Sequence, residues 1–150
     1  MMKTQVMTSV VLLVSLLGGC RVMETPKGFV ALSSDYDQDF YAVAANGNTL
    51  VVKTHVNPDD GTLEFWKSAI VRELIETRGY SLTKEQGITT KAGLRGSELL
   101  MTSTPSTGSY TYAIWLFVEG DRVVVVEAGG QNEAMEADLP ALRTAVKTLD

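Results

Sequence analysis

The sequence predicts an α+β domain: a central antiparallel sheet with helices on both faces, forming a three-layer α/β/α sandwich. Three observations lead there. Two pairs of strand-like runs are joined by tight turn signals; two of those runs are apolar at every alternating position; and two amphipathic helical stripes are present, one mid-chain and one at the tail. A strand that is apolar on both faces must be covered on both, so one helix per face is the economical solution, with the N-terminal segment expected to help.

In chain order, Phe40 to Ala45 and Thr49 to Val56 are β-branched or aromatic runs around Asn46-Gly47-Asn48, a strong hairpin signal. Along the second run Leu50, Val52, Thr54 and Val56 share one face and leave Lys53 and His55 on the other, which reads His55 as a solvated strand residue. The turn cluster Asn57-Pro58-Asp59-Asp60-Gly61 leads into a helix over Thr62 to Arg78. Thr62 suits the N-cap, Glu64 the positive end of the dipole and Gly79 the left-handed C′ position. Leu63, Trp66, Ile70 and Leu74 form its apolar stripe, so Trp66 reads as core and not as a binding platform. Tyr80 to Leu82, Ser97 to Thr102, Tyr110 to Val118 and Arg122 to Ala128 are strand-like, the last two joined through Glu119-Gly120-Asp121. Tyr110 to Val118 and Val123 to Val126 are the doubly apolar runs and are expected at the centre of the sheet. In the tail Asp138 is expected to cap a helix with Pro140 in its first turn and Met135, Leu139, Leu142, Val146 and Leu149 as its stripe. Thr104 to Ser109 reads as a loop between two strands.

Ahead of the domain, Lys3 and the apolar run Val10 to Leu17 lead to Leu17-Gly18-Gly19-Cys20, the pattern of a bacterial lipobox. Val6 to Gly19 is shorter than the roughly 20 residues a membrane-crossing helix needs. Residues 1–19 are expected to be a lipoprotein signal peptide, Cys20 the lipidated residue, 20–27 a tether and 28–150 a single domain. By resemblance to Gram-negative lipoproteins, Arg21 after the cysteine permits transfer to the outer membrane, which in a Gram-negative source places the domain in the periplasm.

Removing residues 1–19 from the 150 leaves 131, the usual size of one domain. The mature chain loses Lys3 alone from its 13 basic residues and keeps all 18 acidic ones, a formal charge of −6. Its basic residues are scattered singly, which argues against nucleic acid and against lying flat on anionic headgroups. Cys20 is the only cysteine and His55 the only histidine. That composition supports no disulfide, thiolate metal site, cysteine nucleophile or multi-histidine centre, and no cofactor is expected.

Pro26 to Val30, Gly61-Thr62-Leu63-Glu64-Phe65-Trp66, Gly79-Tyr80, Leu116-Phe117-Val118 and Val125-Val126-Glu127-Ala128-Gly129-Gly130 resemble small bacterial envelope lipoproteins of mostly unassigned function. Their order of strands and helices is similar to the α/β/α sandwich of PsbP, the extrinsic subunit of photosystem II. The resemblance covers most of residues 26–150 and implies the fold, and with it a domain that serves in assembly or binding more often than in catalysis.

Four chemistries can be weighed on the residues. Asp35, Asp37 and Asp39 alternate as in a calcium loop, but Phe40 stands where the sharp turn needs glycine and Asn46 where a bidentate glutamate should close it, so they are weak cation candidates. A hydrolytic triad would need His55 beside Ser33, Ser97 or Ser109, with no nucleophile elbow to support it. Gly87 to Gly96, with Lys91 and Arg95, lacks the Gly-Lys-Ser/Thr ending of a phosphate loop and reads as a turn-rich connection. Glu127, after four valines and before Gly129-Gly130, is the carboxylate of most interest, with Arg95 or Arg122 as its candidate partner and Gly129 to Glu136 as the first loop in which to look for a ligand.

The expected function is that of a non-enzymatic, lipid-anchored envelope protein that binds or supports another envelope component. The alternative is a small-molecule or metal-binding module with its pocket between the sheet and helix 62–78; third comes a hydrolase-type enzyme. An exposed apolar patch marks the first, a concave pocket with converging polar groups the second, and Ser, His and acid within hydrogen-bond reach the third.

Overall fold

The computed structural model describes residues 22–34, 37–104 and 108–150. The expected signal peptide, Cys20 and Arg21 lie outside these, as does Asp35. Seven strands, β1 (Phe29–Leu32), β2 (Phe40–Ala44), β3 (Thr49–Val56), β4 (Ser81–Thr89), β5 (Arg95–Ser103), β6 (Tyr110–Glu119) and β7 (Arg122–Gln131), pair antiparallel in the order β1-β2-β3-β7-β6-β5-β4. The doubly apolar runs are where their composition places them: β7 is the middle strand, with β6 beside it.

Helix α1 (Leu63–Arg78) packs on one face and α2 (Asn132–Val146) on the other. The alternation of β7 divides the core. Val124 and Val126 join Leu50, Val52, Trp115 and Phe117 under α2, while Val123 and Val125 join Leu99, Met101, Ile114 and Leu116 under α1. The caps of α1 are those its sequence predicts. The Phe65 N–H donates to Thr62 Oγ1 at 3.1 Å, and Gly79, at φ 71°, donates its N–H to the Leu74 carbonyl. Asn57 fastens the start of α1 to the far hairpin: its Nδ2 donates to the carbonyls of Gly61 and Gly120, and its Oδ1 accepts from Trp66 Nε1 at 2.8 Å.

Three expectations are corrected. Helix α2 begins at Asn132, not after Asp138, and Pro140 lies inside it. Met135, already in phase with Leu142 and Val146, is fully buried, so its burial extends the helix by more than a turn; the Asp138 carboxylate instead accepts from Asn46 and Asn48 of the β2–β3 turn. The connection expected over Gly87 to Gly96 is largely strand, with the turn confined to residues 90–94. Gly96 is a strand residue, and a Cβ there would strike the Leu116 carbonyl and the Phe117 ring, so the close approach needs glycine. From Val22 to Pro26 the segment read as a tether is fastened to the domain. Met23 is 3% exposed within the α2-side core, the Glu24 N–H donates to Thr148 Oγ1 at 2.9 Å, and Pro26 accepts from the Phe29 N–H.

Candidate functional site

Helix α1 leaves the sheet only partly covered. It lies over β4, β5 and β6, and a groove of about 530 Å³ runs between its inner face and strands β3, β7 and β6. Ile114, Val123 and Val125 form the floor, with Trp66, Ala69, Ile70 and Leu74 of α1 as the opposite wall. Lys53 and His55 stand on β3 beside Val125 and Val123, and Glu73 and Arg78 come from α1.

Glu127 belongs to this groove. Its register partners are Val51 on β3 and Ile114 on β6, and its carboxylate accepts the Tyr112 hydroxyl at 2.5 Å. Burial, and then that hydrogen bond to Glu127, push the Tyr112 hydroxyl far above its ordinary range, so it stays a donor throughout the physiological range. Tyr80 packs against Tyr112 with ring centroids 5.7 Å apart. The pairings expected from sequence are not made. Arg122 bonds Glu119 at 2.8 Å, and Arg95 opens β5 at the other end of the sheet, two strands from β7 and level with Val123.

Gly129 and Gly130 are strand residues, not a ligand loop. A Cβ on Gly129 would crowd Tyr110 and Tyr112, and one on Gly130 would collide with Asn48. The expected loop Gly129 to Glu136 does not exist, because β7 runs straight into α2. Glu127, Gly129, Gly130 and Arg95 therefore do not form one site.

The remaining candidates are dispersed. His55 is exposed and paired in register with Val123, whereas Ser109 precedes β6 at the opposite end of the sheet, about 30 Å along the strands. Ser97 is buried on β5, three strands from β3, and Ser33 follows β1, two strands away. Asp37 is exposed and 3.7 Å from Lys53, and the Asp39 N–H extends the ladder to Val52. Among the described residues no three His, Cys, Asp or Glu side chains converge to hold a metal ion.

Sequence reasoning missed the strongest polar cluster. Glu98 is 1% exposed on the α2 side of β5 and takes Arg143 Nη2 at 2.7 Å, Arg143 Nε at 2.9 Å, Trp115 Nε1 at 2.7 Å and Gln86 Nε2 at 2.9 Å. Burial raises its carboxyl, but the hydrogen bonds from Arg143 and Trp115 and the charge of Arg143 outweigh it and hold the group below its ordinary value. Every acceptor direction is used, so this cluster is a rivet between β4, β5, β6 and α2 and not a ligand site. Its only signal was Glu98 sharing the Leu100 face of an otherwise apolar strand, which reads equally well as a solvated residue.

The sheet face beside the groove is the other candidate surface. Register and alternation place Val30 and Leu32 of β1, Tyr41 and Val43 of β2 and Val51 of β3 on the α1 side, where no helix covers them among the described residues. Val30 is 63% exposed and Leu32 47%; Tyr41, Val43 and Val51 are half-buried.

No protein-family model matches the chain, and no curated protein matches it in sequence. Solved structures do match in fold. LpqN of Mycobacterium tuberculosis, described as involved in cell envelope biogenesis, superposes with a TM-score of 0.63 at 13% identity, over 85% of this chain and 78% of that one. The PsbP of the cyanobacterium Synechocystis gives 0.56 at 9% identity, over 83% and 82%. The Ran-binding protein Mog1p of Saccharomyces cerevisiae gives 0.56 at 13% identity, over 83% and 84%. The chain thus has the PsbP-like α+β fold.

Proposed function

We propose that this protein is a lipid-anchored bacterial envelope protein, joined to its membrane through Cys20, and that it binds another envelope component by the uncovered sheet face of β1, β2 and β3. The observation that carries the reading is that face: five apolar side chains in register, two of them largely exposed, running into an apolar groove. Soluble monomers rarely leave such a contiguous patch without a partner. The fold supports a binding role, since LpqN and Mog1p carry envelope-biogenesis and Ran-binding descriptions on the same architecture. The separation of His55 from Ser33, Ser97 and Ser109 supports a non-catalytic one.

The groove itself favours a second reading, a small-molecule module with Glu127 and the Tyr112 hydroxyl as its polar contacts. Photo-crosslinking in intact cells separates the two. A benzoyl-phenylalanine at Val30 or Val43 should give a discrete protein adduct, and one at Glu76 on the outer side of α1 should not. Adducts of equal yield at all three positions, or at none, would remove the partner surface, and loss of activity on filling the groove by Ala69→Trp with Val30 adducts absent would favour the small molecule.

A further inference from the structure

We infer that the domain stands on the membrane by one defined end, the end formed by residues 147–150 and the β4–β5 turn, held there on a leash of two residues. The inference rests on the Cys20 lipidation proposed above. No spacer separates the anchor from the domain: the Val22 carbonyl accepts from the Asp150 N–H at 3.4 Å, Met23 is in the core, and Glu24 is bonded to Thr148. Only two peptide units separate Cys20 from Val22, and an extended chain spans at most about 3.6 Å per residue, so Val22 lies within about 7 Å of the lipidated residue.

Val22 marks a particular end of the molecule. It adjoins Asp150, just past α2, and the Lys91 N–H of the β4–β5 turn donates to the Lys147 carbonyl at 2.7 Å, so that turn lies at the same end. Strands and α2 run away from it, and the first turn of α2, with the exposed Glu133, is about 20 Å farther out at 1.5 Å per helical residue. The partner at this end is a lipid surface. The β6–β7 turn, with Glu119 and Asp121, lies at this end too, so no cationic patch among the described residues draws it to the membrane and the short leash sets the contact. The strands then stand away from the membrane and the uncovered face of β1 to β3 looks sideways, open to a neighbour in the same membrane.

The chain's single cysteine makes the test direct, since lipidation consumes its sulfur and any introduced thiol is the only one free. Lys91→Cys and Glu133→Cys, each carrying a small fluorophore, would be purified lipidated and reconstituted into phosphatidylcholine vesicles holding a headgroup spin-labelled lipid. The Lys91 probe should be quenched several-fold more than the Glu133 probe, and a Gly-Ser spacer of about ten residues between Arg21 and Val22 should erase the difference. Equal quenching of the two probes in protein shown by mass spectrometry to be lipidated would overturn the short leash and leave the anchor standing. A Cys20 found without lipid would overturn the anchor, and this inference with it.

Discussion

Replacing Arg143 with Met strips the guanidinium from a carboxylate that has nowhere else to go. Glu98 would keep the Trp115 indole and the Gln86 amide but lose both Arg143 contacts, at a position 1% exposed. Breaking a buried pair from one side costs about 3–5 kcal/mol, because the remaining charge is left desolvated. For a domain of this size the unfolding entropy is roughly 0.27 kcal/mol/K, so the melting temperature should fall by about 11–18 °C. The pH dependence carries the sign of the mechanism. In the native protein the Glu98 carboxyl lies below its ordinary 4.5, so the pair's stabilisation is present above that value and is lost as pH falls through the folded one. In the variant burial dominates and the carboxyl rises, so its penalty is largest at neutral pH and fades on acidification. Urea unfolding of both proteins at pH 7 and pH 5 should therefore show the gap shrinking at pH 5. A gap below about 1 kcal/mol at pH 7, or one unchanged at pH 5, would refute the reasoning.

Met23→Ala should cost about 2–5 kcal/mol by chemical denaturation, since Met23 is packed in the core; a cost near zero would restore the free tether. His55→Gln, at an exposed strand position, should change stability by no more than about 0.5 kcal/mol and complement a deletion strain fully; a folded, membrane-bound variant that failed to complement would reopen catalysis. Cys20→Ala should leave an unlipidated precursor that takes up no palmitate, and normal labelling would end the anchor reading.

The features legible in the sequence were those that local pattern dictates. Thr62 and Gly79 bounded α1 because capping is a property of a few consecutive residues, and the valines of β7 declared a middle strand because both of their faces had to be buried. The groove between the sheet and helix 62–78 could be placed in advance, and Glu127 proved to line it. Its partner could not. Tyr112 is 15 residues away and reaches Glu127 only through the β6–β7 register, whereas Arg95 and Arg122 looked suitable by charge alone. Glu98 and Arg143 were invisible for the same reason, being brought together by the packing of α2 on the sheet. The strand β1 escaped because four residues at a sheet edge carry little periodicity, and Met23 because a single apolar residue among polar ones has no phase.

The central claim is that the uncovered sheet face is the working surface, and it can be tested by charging that face without disturbing the core. Val30→Glu combined with Leu32→Lys alters two largely exposed side chains of β1. The measurement is complementation of a deletion strain by this double variant, with its melting temperature and membrane fraction recorded alongside. The expected protein folds, reaches the membrane and behaves as a null. A folded, membrane-bound double variant that restores full function would contradict the claim.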